Sequence, residues 1–160
     1  MILVLLGTNP YPFHRLLGAV DQWAGNATVP VVAQTGHTPQ TNYRNVDCHD
    51  FVSHEKVLEW IEQSELVISQ GGFGSLKDSL AASKPVIACP RFEELGECQD
   101  SQRELVQALA EDGRVIELLD LAELPQAIEK ARSFTAPETR ASAVPDLVAS
   151  LVRDFQRGNN

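Results

Sequence analysis

Residues 67–75 read VISQGGFGS: a short apolar run that breaks into three glycines and a serine. Val67 and Ile68 favour a strand, and clustered glycines let the backbone turn where side chains would stand in the way. Leu76, Leu80 and Ala81 then recur at helical spacing, and the helix must stop before Pro85. The stretch therefore predicts a strand, a glycine-rich turn and a helix. That unit decides the fold class, because a helix leaving a strand end is what builds a parallel sheet.

The flanking sequence repeats the theme. Apolar runs without alternation at residues 2–6, 29–33, 66–68 and 86–89 predict strands buried on both faces. Phe13, Leu16, Leu17, Val20, Trp23 and Ala24 predict a helix after Pro10 and Pro12. Val57, Leu58 and Ile61 predict another, opened by Ser53 as N-cap with Glu55 in its first turn. Leu105, Val106 and Leu109 predict a helix ending near Gly113. A short strand at 115–118 and a helix carrying Leu121, Leu124, Ile128 and Ala131 follow. Residues 133–144 read as a connector. A terminal helix at 145–157 opens at Pro145, and its stripe of Leu147, Val148, Leu151, Val152 and Phe155 either joins the core or docks on a partner. The expected architecture is a single α/β domain, residues 1–160, with a Rossmann-like doubly wound parallel sheet.

Composition narrows the function. The net charge of −9 argues against nucleic acid and against direct docking on anionic lipid, since both need clustered Lys and Arg. Cys48, Cys89 and Cys98 are odd in number and contain no CxxC pair, which reads as free thiols in a reducing compartment. The opening MILVLLGTN has a short apolar run and no basic residues before it, so a signal peptide is not expected, nor is a membrane span. The expected location is the cytoplasm.

In such sheets ligands meet the carboxyl ends of strands. One strand end carries Gly7, Thr8 and Asn9, a second carries Gln70, Gly71, Gly72, Gly74 and Ser75, and a third carries Pro90 and Arg91 before the acidic Glu93 and Glu94. The second is an anion cradle that works through backbone N–H groups and a helix dipole. It lacks GK[ST] and the GxGxxG spacing, so it is neither a Walker loop nor a dinucleotide fingerprint; by spacing alone it is either a ligand turn or a tight packing turn. Asp78, one helical turn on, either accepts from ribose hydroxyls or pairs on the surface with Lys77 or Lys84. Arg91 either reaches phosphate or bridges to Glu93 or Glu94. His14 either faces the cleft or lies on a helix surface. Cys48, His49, Asp50 and His54 cluster without any standard zinc spacing, and no structural metal is expected.

The run VISQGGFGSLKDSLAASKPVIACPR, followed by GECQDSQRELVQALAEDGRV, resembles the C-terminal domain of glycosyltransferase family 28. LGTNPYPFHRLLGAVDQWA and VVAQTGHT…DFVSHEKV resemble that domain's opening and middle, so the likeness covers about residues 1–130. The likeness is greatest to stand-alone short forms: PssE-type subunits of exopolysaccharide transferases, and the catalytic subunit of the two-part enzyme that makes dolichol-linked chitobiose. The resemblance implies the C-terminal, donor-binding half of a GT-B fold. It further implies a UDP-sugar donor and no bound cofactor. A membrane-anchored partner subunit would supply the N-terminal half and the site for a lipid-linked acceptor, and would recruit the chain to the inner membrane face. By residue it implies that Gln70, Gly71, Gly72, Gly74 and Ser75 meet the diphosphate, that Asp78 meets the ribose, and that Gln102 and Glu104 occupy polar positions near ribose or sugar. Gly7, Thr8 and Asn9 match the cleft loop, and Phe51 falls near the uracil. The terminal helix would reach the partner half.

Relatives carry histidine where this chain has Gln70, Cys98 and Ser101. Glutamine donates a hydrogen bond but is neither a cation nor a base. Histidine restored at position 70 is therefore expected to strengthen UDP-sugar binding. No residue here is placed as acceptor base, so the base is expected on the partner. Two readings follow: an inverting transferase subunit that is inactive or nearly so in isolation, or a non-catalytic nucleotide-sugar-binding or scaffold module. A flavodoxin-like or response-regulator-like domain is disfavoured, because Gly7, Thr8 and Asn9 supply neither an acidic cluster nor a flavin loop.

Overall fold

The computed structural model describes residues 1–134; the expected terminal helix at 145–157 lies outside them. The described chain runs β1 (Ile2–Leu5), α1 (His14–Ala24), β2 (Val31–Gln34), β3 (Asp47–His49), α2 (His54–Gln63), β4 (Leu66–Gln70), α3 (Phe73–Ala81), β5 (Val86–Cys89), α4 (Arg103–Glu111), β6 (Ile116–Glu117) and α5 (Leu124–Arg132). Short 3-10 turns occupy Glu93–Leu95 and Leu121–Glu123. Among the described residues the six strands form one sheet in the order β3-β2-β1-β4-β5-β6, with every pairing parallel. This is the Rossmann-like doubly wound sheet that the alternation of apolar runs and helices predicts.

Alternate residues of the central strands pack on the two faces of the sheet. Ile2, Val4, Leu66, Ile68 and Ile87 pack with Leu16, Leu17 and Val20 of α1 and Ile128 of α5. On the opposite face, Leu3, Leu5 and Val67 pack with Trp60 and Ile61 of α2. Farther along that face, Val86 and Ala88 meet Leu76 of α3 and Val106 of α4. Both sides of the central strands are dry, which is why they read as unbroken apolar runs.

Helix ends follow local chemistry. Ser53 Oγ accepts from the Lys56 amide at 3.2 Å and opens α2 as its N-cap. Gly113, at a φ of 68°, ends α4 in the left-handed conformation that glycine adopts without strain. No helix among the described residues is long and apolar enough to cross a membrane.

Strand limits differ from expectation in several places: β1 ends at Leu5 rather than 6, and β6 covers Ile116–Glu117 rather than 115–118. β2 begins at Val31 rather than 29, because Pro30 has no N–H to pair; its carbonyl instead accepts from Ile2 N at 2.9 Å. β4 continues two residues past the apolar run to Gln70. β3 was not expected at all: Asp47, Cys48 and His49 form an edge strand, exposed or half-buried, with no apolar signal.

The strand order reverses between β1 and β4, since the chain first builds outward through β2 and β3 and then returns. A crevice opens at such a reversal, beyond the carboxyl ends of the two strands. Gly7 and Gln70 stand at those ends.

Candidate active site

The crevice is a cleft of about 500 Å³. Gly7 and Thr8 border it from the loop after β1, Phe51 and His54 from the start of α2, and Gln70 with Gly72, Gly74 and Ser75 from the turn into α3. Asp78 and Lys77 close it from the next turn of α3. Residues far apart in sequence and singled out there thus share one hollow at the switch point.

The turn itself divides its labour. Gly72 is the extended residue before α3, with φ −77° and ψ 135°, and offers no side-chain cap. The Leu76 amide reaches back to Gly72 O at 3.2 Å, so the amides of Phe73, Gly74 and Ser75 precede the first helical bond and remain donors. Together with the dipole of a nine-residue helix they favour an anion. A Cβ on Gly74 would meet nothing within 4 Å, so the space over that residue is open. Gly71 has a different task from the one expected: a Cβ there would lie 2.7 Å from Val106 Cγ2 and 2.8 Å from Gln102 Cβ. It lets α4 close on the end of β4, and it does not border the cleft.

The β1 loop is held by side chains that sequence reading overlooked. Gly7 has a φ of 71°, and a Cβ on it would fall 1.9 Å from Gln70 Nε2. Gln34 brackets it, accepting from Gly7 N at 3.1 Å and donating to Gly7 O at 3.1 Å and to Asp50 O at 3.0 Å. A polar residue closing an apolar run was the available signal for Gln34. Asn9 stands off the cleft, its Oδ1 accepting from the Tyr11 amide at 3.0 Å.

Asp78 pairs with neither lysine. Its Oδ2 lies 2.8 Å from His54 Nε2, while Lys84 Nζ donates to the carbonyls of Glu62 and Ser64 at 2.7 and 3.0 Å. Phe51 is 54% exposed, with its ring edge-on to His37 at 5.0 Å, so an apolar face is free at the cleft mouth. His14 lies on the surface of α1, its Nδ1 2.9 Å from the Tyr43 hydroxyl. The Cys48–His54 cluster disperses: His49 pairs with Asp47 at 3.2 Å, the Asp50 carboxylate accepts from Gln40, and His54 meets Asp78.

Arg91 does neither thing expected of it. It is 1% exposed and lies behind the cleft, so it neither faces a ligand nor bridges to Glu93 or Glu94. Its Nε donates to Gln70 Oε1 at 2.6 Å, Nη1 to the carbonyls of Tyr11 and Glu97 at 2.8 and 2.9 Å, and Nη2 to Leu6 O at 2.9 Å. Burial holds its pKa down to about 10, which leaves it cationic at neutral pH. The guanidinium also stacks over Phe13 at 4.4 Å. Glu97, likewise buried, takes a bidentate pair from Arg15 at 2.8 and 2.9 Å and the Phe92 amide at 3.1 Å. Gln102 joins this layer, not the cleft: its Oε1 accepts from Arg91 N at 3.2 Å. Glu104 is exposed in the first turn of α4 and does not border the cleft.

The site can therefore bind an anion through uncapped amides and a carboxamide, with Asp78 ready for hydroxyl groups and Phe51 for a flat ring. Among the described residues bordering it, Asp78, His54 and Lys77 carry groups able to move a proton, and the first two are engaged with each other.

Comparison with known proteins agrees with this fold. The family model described as glycosyltransferase family 28 C-terminal domain matches residues 1–152. The kitacinnamycin glycotransferase structure superposes with a TM-score of 0.64 at 17% identity, covering 98% of this chain and 39% of that one. CalG4, the calicheamicin glycosyltransferase, gives 0.60 at 20% identity over 98% of this chain and 38% of its own. MurG of Acinetobacter baumannii gives 0.53 at 16%, covering 93% of this chain and 49% of its own. At these identities the likeness is one of fold, and the chain spans two fifths to one half of each of these structures. No curated protein matches the sequence.

Proposed function

The chain belongs to the glycosyltransferase family 28 C-terminal domain family, its fold being one Rossmann-like half of a GT-B architecture, and from that premise we propose that it is the donor-binding subunit of a two-component inverting glycosyltransferase. The donor is a UDP-sugar. The acceptor is a lipid-linked saccharide held by a membrane-anchored partner that contributes the other GT-B half, as in PssE-type exopolysaccharide synthesis.

One observation carries the reading. The α3 N-terminus, uncapped by any side chain, opens into a cleft at the switch point that also holds Asp78 and an exposed Phe51. Diphosphate, ribose and base each find a matching group there. Catalysis by such a site consists of stabilising the departing UDP as negative charge grows on its phosphate, which a preformed cradle does without reorganisation. The acceptor base is assigned to the partner, which would hold the acceptor hydroxyl.

Calorimetric titration of the purified chain with UDP and a panel of UDP-sugars tests the binding step. Saturable binding is expected, with sugar transfer only after the partner is added. Robust transfer by the chain alone would sink the two-component reading. The same titration decides a second reading, a non-catalytic binding or scaffold module. That reading is favoured by one feature: Gln102, expected near the sugar, is turned to Arg91 and does not border the cleft. Absence of binding at millimolar UDP-sugar, with and without the partner, would select the scaffold.

A further inference from the structure

A neutral glutamine stands where a diphosphate cradle gains most from a fixed donor, and a carboxamide by itself has no preferred end. Whether it helps or repels a phosphoryl oxygen depends on which end faces the cleft. Arg91 removes the ambiguity. Its Nε–H is a donor only and lies 2.6 Å from one end of the Gln70 amide, so that end must be the oxygen. Its backbone N–H, 3.2 Å from Gln102, fixes that amide as well, which turns Gln102 Nε2 toward the same Gln70 oxygen at 3.4 Å. Two donors from one residue thus orient two carboxamides.

The consequence falls on Gln70 Nε2. The residue is only 6% exposed yet borders the cleft, and its Nε2 donates to nothing among the described residues. It is not sealed in either, since no buried side-chain nitrogen or oxygen there lacks a partner. The nitrogen sits against the α-carbons of Gly7 and Gly72: a Cβ on either would approach it to 1.9 or 2.7 Å. Both glycines therefore make room for this amide.

Resting on the nucleotide-donor reading above, we propose that Arg91 is a positioning residue that locks Gln70 with Nε2 facing the cleft, as a donor to the phosphoryl oxygens of the bound diphosphate. The buried cation also sets its charge directly behind the donor, so that the acidic chain binds an anion with no basic side chain of the turn touching it. Arg91 is itself held on its far side by the carbonyls of Leu6, Tyr11 and Glu97, which leaves Nε one direction to point.

The test compares UDP with uridine, which lacks the phosphates, by calorimetry on the full chain and on Gln70→Glu and Arg91→Lys. Gln70→Glu keeps an acceptor for Arg91 Nε and so keeps the fold, but replaces the free donor with an oxygen. UDP affinity is expected to fall at least about tenfold while uridine affinity holds. Arg91→Lys keeps the charge but loses the fixed Nε–H direction, and the UDP-to-uridine affinity ratio should fall about tenfold. In side-chain ¹⁵N spectra the Gln70 NH₂ pair should shift on adding UDP and not on adding uridine. A merely structural Arg91 would weaken both ligands together. A folded Gln70→Glu with the wild-type UDP-to-uridine ratio overturns the proposal and leaves the donor reading intact. If Arg91→Lys fails to fold, Gln70→Glu decides alone. Failure of the wild-type chain to bind UDP removes the donor reading and this proposal with it.

Discussion

His54 Nε2 lies 2.8 Å from Asp78 Oδ2, tying the first turn of α2 to the second turn of α3 across the mouth of the cleft. The histidine side chain is 65% exposed and the carboxylate 20%, so the pair is worth little to stability. What it does is take up one of the two carboxylate oxygens that ribose hydroxyls could use. His54→Ala should leave thermal stability nearly unchanged and raise UDP affinity about two- to fivefold, the size of an exposed pair released. Calorimetry with 2′-deoxy-UDP as control checks the cause, because the gain should shrink when a hydroxyl is missing. An equal gain for both nucleotides would locate the effect elsewhere in the cleft. Asp78→Asn should lower UDP affinity.

Gly71 and Gly74 look alike in the sequence and should part company as alanines. A Cβ at 71 would press on Val106 Cγ2 at 2.7 Å and on Gln102 Cβ at 2.8 Å, and overpacking of this kind costs about 1–3 kcal/mol. Position 74 has open space in the first turn of a helix, where alanine gains up to about 1 kcal/mol over glycine. Denaturant melts should therefore show Gly71→Ala destabilised and Gly74→Ala not. UDP binding should fall more for Gly74→Ala, whose methyl enters the cleft. The reverse order in either assay would contradict the division of the turn.

What could be read without coordinates followed from how each signal is carried. β5 matches its apolar run of residues 86–89 at both ends, because a strand buried on both faces must be apolar throughout. The cleft was legible because the reversal of strand order brings Gly7, Gln70 and Asp78 together wherever the sheet is doubly wound. β3 escaped because an edge strand needs hydrogen bonds rather than apolar side chains, and Asp47 and His49 show no period. Arg91 was misread for another reason. It reaches Leu6 and Tyr11 across separations of 85 and 80 residues, and no local pattern records such contacts; the acidic residues beside it drew the eye to the wrong partners. Gly71 was assigned to the ligand because spacing does not reveal which side of a turn faces a helix.

Arg91 also changes what histidine at position 70 should do. A cationic imidazole there would face a guanidinium donor at hydrogen-bond distance in a buried site, and like charge with burial disfavours the protonated form. Gln70→His should therefore bind as neutral imidazole, accepting from Arg91 Nε and donating one N–H to the cleft. UDP affinity should stay within about threefold of wild type across pH 6–8, since neutral hydrogen bonds of similar geometry contribute alike. The tenfold gain that a cationic histidine would bring, growing as pH falls, is the outcome that would refute this.

Alkaline pH should loosen the fold through its thiols. Burial lifts Cys89 from its ordinary 9.0 to about 12 and Cys48 to about 11. Above pH 9 the unfolded chain sheds these protons while the folded chain retains them. Fewer protons bound in the unfolded state means that stability falls as pH rises, by up to about 1.4 kcal/mol per pH unit for each thiol. Arg91 works the other way, since its pKa of about 10 lies below that of the unfolded chain, and losing the buried charge favours the folded form. That loss of charge is about half complete at pH 10, so between pH 9 and 10 it offsets part of the thiol effect. Burial raises Cys98 as well, so urea melts of wild type and Cys89→Ala at pH 8, 9 and 10 separate the terms: the wild type should weaken over the upper interval, and the variant should weaken less. Equal slopes for the two proteins would place the alkaline sensitivity outside Cys89.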